Sequence, residues 1–256
     1  MRSVHTYENN GYIVIRGLFS PDELNPIHDI LLSFHENWLL ENTEFYQSHA
    51  INSAYITQKG ILPSKDRIKL FNFISDEKIH KALSENVSDN LAFMGTQIFF
   101  DPLNKKQKNY WHRDIQYNTL TLDEQKAIFD KQNALHVRIP LKDENGIEIV
   151  PGTHKRWDTE EEFDTRMEQN GKLKHHDLMG GKTLRLQKGD MLIFSANMIH
   201  RGLYGKDRFA FDLLFSDPIP EILKFLPDDC VPDEADLDKL QNNAVFKRSM
   251  AVKQTQ

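Results

Sequence analysis

Two periodicities divide this chain. Over the first ninety residues apolar positions recur at steps of three or four, and beyond them at steps of two. After a short apolar run, Tyr12 to Ile15, the stretch SPDELNPIHDILLSFHENWLL predicts a helix. Ser20 can cap it, Pro21 suits the first helical position and Glu23 completes a capping box. Leu24, Ile27, Leu31, Phe34 and Trp38 then share one face, and Pro26 comes early enough to be tolerated. A second helix is predicted after Ser75, with Ile79, Leu83, Val87 and Leu91 at steps of four.

The pattern changes near Gly95. GTQIFFD, NALHVRIPL, IEIVPGTH, KTLRLQKGD, MLIFSANMIH and RFAFDLLF read as short strands, separated by turn signals such as Glu-Asn-Gly, Pro-Gly, Lys-Gly-Asp and Tyr-Gly-Lys-Asp. Two helical patches interrupt them, one opened by the capping box Thr121 to Glu124 and one spanning Thr159 to Gln169. Many short strands without alternating helices predict a sandwich or jelly roll rather than a doubly wound sheet. The expectation is one domain, mainly β with α: residues 1–94 a helical support, 95–217 the core, and 218–256 a loose polar tail.

Composition narrows the partners. The 256 residues carry a net charge of −6 with acids and bases interspersed, which leaves no basic footprint for nucleic acid or an anionic membrane. The one cysteine, Cys230, excludes an intrachain disulfide and points to a reducing compartment; nothing marks it as a nucleophile. The N-terminal stretch shows no leader pattern, and no apolar run reaches the ~18 residues of a membrane span. The expectation is a cytoplasmic protein acting on a small molecule.

Candidate chemistry starts at NYWHRDIQY. His112 and Asp114 form a His-x-Asp triplet, yet chance alone supplies about 0.7 of these in a chain so rich in histidine. His175-His176-Asp177 is a second such triplet. A facial iron site needs two imidazoles and one carboxylate on the same side of the metal. On an extended segment His112 and Asp114 share a face while Arg113 points elsewhere. His200, ending the strand MLIFSANMIH, is far enough along the chain to come from another strand. After a tight hairpin, Arg208 shares a face with Ala210 and Asp212, and can pair with a small dicarboxylate. The rival Arg201 alternates to the face opposite His200. The second triplet sits too close to His200 in sequence, among lysines and glycines that read as a solvated loop.

These stretches resemble the phytanoyl-CoA dioxygenase-like branch of the Fe(II)/2-oxoglutarate-dependent oxygenases. The likeness spans about residues 10–217 and rests on NGYIVIRGLFSPDEL, WHRD, LKDENGIEIVPGTHK and LQKGDMLIFSANMIHRGLYGKDRFAFDL, in that order. It implies a double-stranded β-helix, the jelly-roll core, buttressed by N-terminal helices. It implies that His112, Asp114 and His200 bind Fe(II), that Arg208 holds the C5 carboxylate of 2-oxoglutarate, and that O2 is the second cosubstrate. The implied reaction converts 2-oxoglutarate to succinate and CO2 while hydroxylating an unactivated C–H bond. An intact Asp114 favours hydroxylation over halogenation. The gap of eight residues between His200 and Arg208 is shorter than the ten or so common in the family.

Further residues carry expectations of their own. Gln97 stands where a strand before the ligands contacts cosubstrate or substrate, or is a half-buried strand glutamine. In LHVRIPL the apolar face of Leu135, Val137, Ile139 and Leu141 puts His136 and Arg138 together on the other side. If that side lines the barrel, two cations stand near the iron and suit a carboxylate or phosphate, so the substrate itself can be anionic. Trp111 and Tyr117 either wall the pocket or belong to the core, and His154 fits a turn. Two other functions remain open from the residues alone: a cupin-like metal-binding or sensor protein without turnover, and a zinc enzyme using the same ligands.

Overall fold

The computed structural model describes residues 7–129 and 131–254. The first six residues, part of the stretch read as lacking a leader, lie outside the described residues. Nine strands are seen among the described residues: β1 (Tyr12–Ile15), β2 (Asn52–Ala54), β3 (Ala92–Phe100), β4 (Ala134–Pro140), β5 (Glu144–Ile149), β6 (Lys182–Leu186), β7 (Met191–Ser195), β8 (His200–Gly202) and β9 (Phe209–Ser216). They form two antiparallel sheets, ordered β1-β7-β4-β9-β3-β2 and β6-β5-β8. His112 adds a single antiparallel bridge beside His200, extending the smaller sheet by one position. From β3 onward the chain crosses between the sheets and returns, which is the jelly-roll course. Tyr12, Leu192 and Phe194 of the larger sheet pack on Ile147, Ile149, Leu184 and Leu186 of the smaller one.

The outer face of the larger sheet carries the main core. Phe209, Phe211, Leu213 and Phe215 of β9 and Leu135, Val137 and Ile139 of β4 alternate onto that face. The helix Pro21–Glu41 covers it with Leu24, Ile27, Leu31 and Phe34, its start held by the Ser20–Glu23 capping box. β4 and β9 therefore turn their other face, which carries His136, Arg138 and Asp212, toward the space between the sheets. That alternation is what supplies the site with side chains.

Three expectations need correction. Glu-Asn-Gly is no turn between strands: it opens β5, where the register with β6 shifts between Glu144 and Ile147. Gly146, at φ 88°, makes this bulge, and a Cβ there would lie 1.7 Å from the Leu184 carbonyl oxygen. The helix after Ser75 runs only Glu77–Asn86, so Val87 and Leu91 fall beyond it. A further helix, Ser64–Ile74, stands before it. Residues 218–256 are not a loose tail. The helix Ala244–Lys253 packs on β3, with Phe246 fully buried against Phe71 and Phe93 and the Ser249 hydroxyl donating to the Phe93 carbonyl at 2.7 Å. Cys230 is likewise buried there as a free thiol.

Candidate active site

His112 and His200 are fixed to each other through the backbone, each amide donating to the other's carbonyl at 3.0 Å. The Nδ1 of His112 bonds the Tyr110 carbonyl at 3.1 Å and that of His200 bonds the Met198 carbonyl at 2.9 Å. Both rings therefore present Nε2 to the interior. Asp114 does not continue a strand, as alternation predicted, but opens the 3-10 turn Asp114–Tyr117. That turn brings its Oδ1 to 3.6 Å from each of the two Nε2 atoms. The three ligand atoms lie within 4.8 Å of one another. Two neutral imidazoles and a carboxylate on one side suit a divalent iron that keeps positions open.

The environment sets the protonation states this requires. Burial, reinforced by the neighbouring His112, pushes His200 down to about 3, and burial also lowers His112. Burial works against ionising Asp114, but His136 and His200 outweigh it and hold the carboxyl well below its usual range. The loop bearing the ligands is clamped from below. Arg113, fully buried, donates from Nε to Asp158 at 2.8 Å and from Nη1 to the Thr153 carbonyl at 2.7 Å and the Asn197 carbonyl. It thus ties the His112–Asp114 segment to the turn that leads into His200.

All three ligand atoms open into one cavity of about 320 Å³. At one end lies Arg208, 3% exposed, its guanidinium between the rings of Phe99 and Tyr204. Its Nε and Nη1 have no hydrogen-bond acceptor, and Glu144, the nearest carboxylate, is 3.8 Å from Nε. A buried cation with unused donors fits an anionic ligand. Gly202 on β8 lets the guanidinium lie against its backbone, since a Cβ there would sit 2.7 Å from Nη1. The short gap to His200 also has a structural cause. Lys206 and Asp207 both take left-handed backbone angles, and Asp101 accepts from the amides of Gly205 and Arg208, at 2.8 and 3.2 Å. The hairpin is tight and pinned, and Arg208 still enters β9 facing inward.

His136 and Arg138 do face the cavity, but not as free cations. Arg138 donates through Nε and Nη2 to Glu144, both at 2.8 Å, and through Nη1 to Asp212 at 2.9 Å. His136 lies between Asp114 and Asp212, its Nε2 2.7 Å from Asp114 Oδ2 and its Nδ1 3.1 Å from Asp212 Oδ2. Burial disfavours the charged ring, yet these two carboxylates raise its pKa to about 9. The charge proposed for the cosubstrate at Arg138 is therefore already balanced inside the protein, and the reason for an anionic substrate goes with it. Gln97 lines the same cavity, with a buried Oε1 that meets no donor.

A sequence model of phytanoyl-CoA dioxygenase matches residues 7–204. The chain belongs to the phytanoyl-CoA dioxygenase family. As a member it is an Fe(II)/2-oxoglutarate-dependent oxygenase, and its His-Asp-His cluster is a donor set such a metal takes. No curated protein sequence matches the chain. Solved structures share the fold at low identity. The non-heme alpha ketoglutarate dependent carbocyclase SnoK from nogalamycin biosynthesis is 16% identical, with a TM-score of 0.56 over 83% of this chain and 82% of its own. EctD from S. alaskensis with bound Fe is 16% identical, at 0.54 over 83% and 75%. HygX from Streptomyces hygroscopicus with nickel and 2-oxoglutarate bound is 14% identical, at 0.54 over 82% and 83%. These likenesses bear out the jelly-roll expectation.

Other expected residues of this oxygenase take structural places. Arg201 pairs with Glu148 and Asp177 and covers Trp111, so the second triplet serves as a brace for the smaller sheet. Trp111 is fully buried and Tyr117 lines the cavity. His154 bonds the Glu8 carbonyl at 3.1 Å from its turn. Sequence reasoning missed Asp101, Glu144 and Asp212 as partners of the inward basic residues. Alternation on β9 had put Asp212 on the face of Arg208, which was the available signal.

Proposed function

We propose that this single-domain oxygenase hydroxylates an unactivated C–H bond of a small molecule, with Fe(II) held by His112, Asp114 and His200. In this reading Arg208 takes the C5 carboxylate of 2-oxoglutarate, and Gln97 contacts cosubstrate or substrate. The observation that carries it is the acceptorless Nε and Nη1 of Arg208, buried in the same cavity as the three ligand atoms. A buried guanidinium with free donors beside the ligands suits a carboxylate-bearing cosubstrate.

The iron, when bound, supplies the oxidation chemistry on O2 and 2-oxoglutarate. The chain supplies everything around it. Nδ1 contacts to backbone carbonyls aim both imidazoles, and His136 occupies Asp114 Oδ2, which leaves Oδ1 for the metal. Arg208 fixes the far end of the cosubstrate and so its direction of approach. The cavity is walled by apolar side chains such as Met94, Ile115, Leu214 and Ile222 and by polar ones such as Asn118, Gln132 and Asn197, so it can take a substrate of mixed character. None of the helices among the described residues is long and apolar enough to cross a membrane. A cytoplasmic setting, suited to the free buried Cys230, belongs to the same proposal.

Anaerobic reconstitution tests it. Adding 2-oxoglutarate to Fe(II)-loaded protein is expected to give the weak visible charge-transfer band of the chelate, lost in His112→Ala and weakened in Arg208→Ala. A well-folded, iron-loaded protein without that band would overturn the proposal.

A further inference from the structure

The cavity holds a buried ionic chain that the ligands and Arg208 do not by themselves require. It runs Asp114, His136, Asp212, Arg138, Glu144, Arg208, alternating in sign at each step, with contacts of 2.7, 3.1, 2.9, 2.8 and 3.8 Å. His136, Arg138, Glu144, Asp212 and Arg208 are each at most 6% exposed. Burying this many charges is expensive, and a hydrophobic filling of similar size would serve stability as well or better. The chain joins the carboxylate ligand at one end of the cavity to the cosubstrate arginine at the other.

His136 is the link that touches the metal site. Its backbone is set in the middle of β4, opposite Phe194 of β7 and Leu214 of β9. The Phe194 ring stacks on it at 4.8 Å and 18°, which restrains rotation about its side chain. Asp212 grips the far nitrogen, and Arg138 grips Asp212 in turn. Asp114 stands at the first position of a short turn, its amide donating to the Ala196 carbonyl at 3.1 Å, and among the described residues His136 is the hydrogen-bond partner of its Oδ2. The two histidine ligands are held by backbone bonds; the carboxylate is held by this one ring.

We propose that His136 is a positioning residue for the metal ligand Asp114, holding Oδ2 so that Oδ1 alone faces the metal, with Asp212 as its anchor. The proposal rests on the metal reading given above. Removing a group that orients a metal ligand typically costs 10–100-fold in metal affinity.

Cobalt(II) is a suitable probe, because its visible spectrum reports ligand geometry without oxygen turnover. His136→Phe keeps the stack on Phe194 and removes both ring nitrogens; His136→Gln keeps one donor; Asp212→Asn keeps the ring and weakens its anchor. The expected result for His136→Phe is a loss of Co(II) affinity of roughly 10–100-fold and an altered spectrum in protein that remains folded. His136→Gln is expected to recover part of the loss, and Asp212→Asn to show a smaller one. A role confined to packing would lower the unfolding midpoint and leave the affinity and spectrum of the folded protein unchanged. Wild-type affinity and spectrum in His136→Gln and Asp212→Asn, together with whatever His136→Phe folds, would overturn the proposal. Failure of the wild-type protein itself to bind Co(II), judged against His112→Ala, would overturn the metal reading and this proposal with it.

Discussion

Arg208→Met separates the stability of this fold from its use. In the ligand-free protein Arg208 is a liability: burial and the nearby Arg138 push its pKa from 12.5 down to about 10. For a cation the sign is unfavourable at every pH below that value, and the shift corresponds to about 3 kcal/mol against the charged form at pH 7. Methionine of similar length removes this cost. Against it stands the lost contact with the Phe99 and Tyr204 rings, worth about 0.5–2 kcal/mol. Glu144 keeps both bonds from Arg138, so no carboxylate is stranded. The net expectation is a ligand-free variant about 1–2 kcal/mol more stable than wild type by urea unfolding. Binding of 2-oxoglutarate moves the other way. Two charge-assisted hydrogen bonds at about 1.5–3 kcal/mol each give a Kd raised roughly 10²–10⁴-fold by anaerobic calorimetry on the metal-loaded protein. At ligand concentrations near 100 Kd the wild type should gain about 2.7 kcal/mol and the variant almost nothing. A variant less stable than wild type without ligand, yet equal to it in 2-oxoglutarate affinity, would show that Arg208 is a structural cation and sink the assignment.

Three other perturbations reach different parts of the argument. Gly202→Ala should push the Arg208 guanidinium off the β8 backbone and weaken 2-oxoglutarate binding roughly tenfold or more, while Co(II) binding without cosubstrate stays as in wild type; equal cosubstrate affinity would mean the arginine has room to adjust. Phe246→Ala should cost about 3–5 kcal/mol in urea unfolding, because the ring is fully buried against Phe71 and Phe93; a cost under 1 kcal/mol would restore the picture of a loose C-terminal segment. His35 is half-buried with an unpartnered Nδ1, and burial lowers it to about 4. The unfolded ring gains its proton near 6.5 and the folded one only near 4, so stability is complete above 6.5 and falls as the pH drops between them. His35→Phe should remove roughly 1 kcal/mol of that acid loss at pH 5.5, allowing for partial exposure; the check is whether its unfolding midpoint changes less than that of wild type between pH 7.5 and 5.5.

What could be read in advance follows the length scale of each feature. The helix at Pro21–Glu41 was legible because its cap, first-turn proline and apolar stripe are all local. Which residues share a face of β4 and of β9 was legible because alternation runs over seven or eight residues, while the direction in which the His136–Arg138 face points was left open. Asp114 was placed beside the two histidines for the wrong local reason, since a single 3-10 turn leaves no periodicity to detect. The pairing of Arg138 with two carboxylates was not legible either. Its partners Glu144 and Asp212 come from two different strands, and one of them sits in a bulge disguised as a turn sequence. The packed helix Ala244–Lys253 was missed because the acidic, polar stretch before it set the reading of residues 218–256, although Val245, Phe246 and Ser249 share one helical face.

The backbone bridge between His112 and His200 makes the site divisible. Two corners of the metal triangle are written into mutual amide–carbonyl bonds that no side-chain substitution touches. The third corner stands on a turn whose amide donates to the Ala196 carbonyl at 3.1 Å, but its carboxylate is oriented by a side chain, His136 on β4. Drift at position 114 would therefore leave a two-histidine platform standing, with the imidazole of His136 now facing the vacated place. A lineage built on this scaffold has one corner at which to trade ligands and two it keeps at no cost in folding.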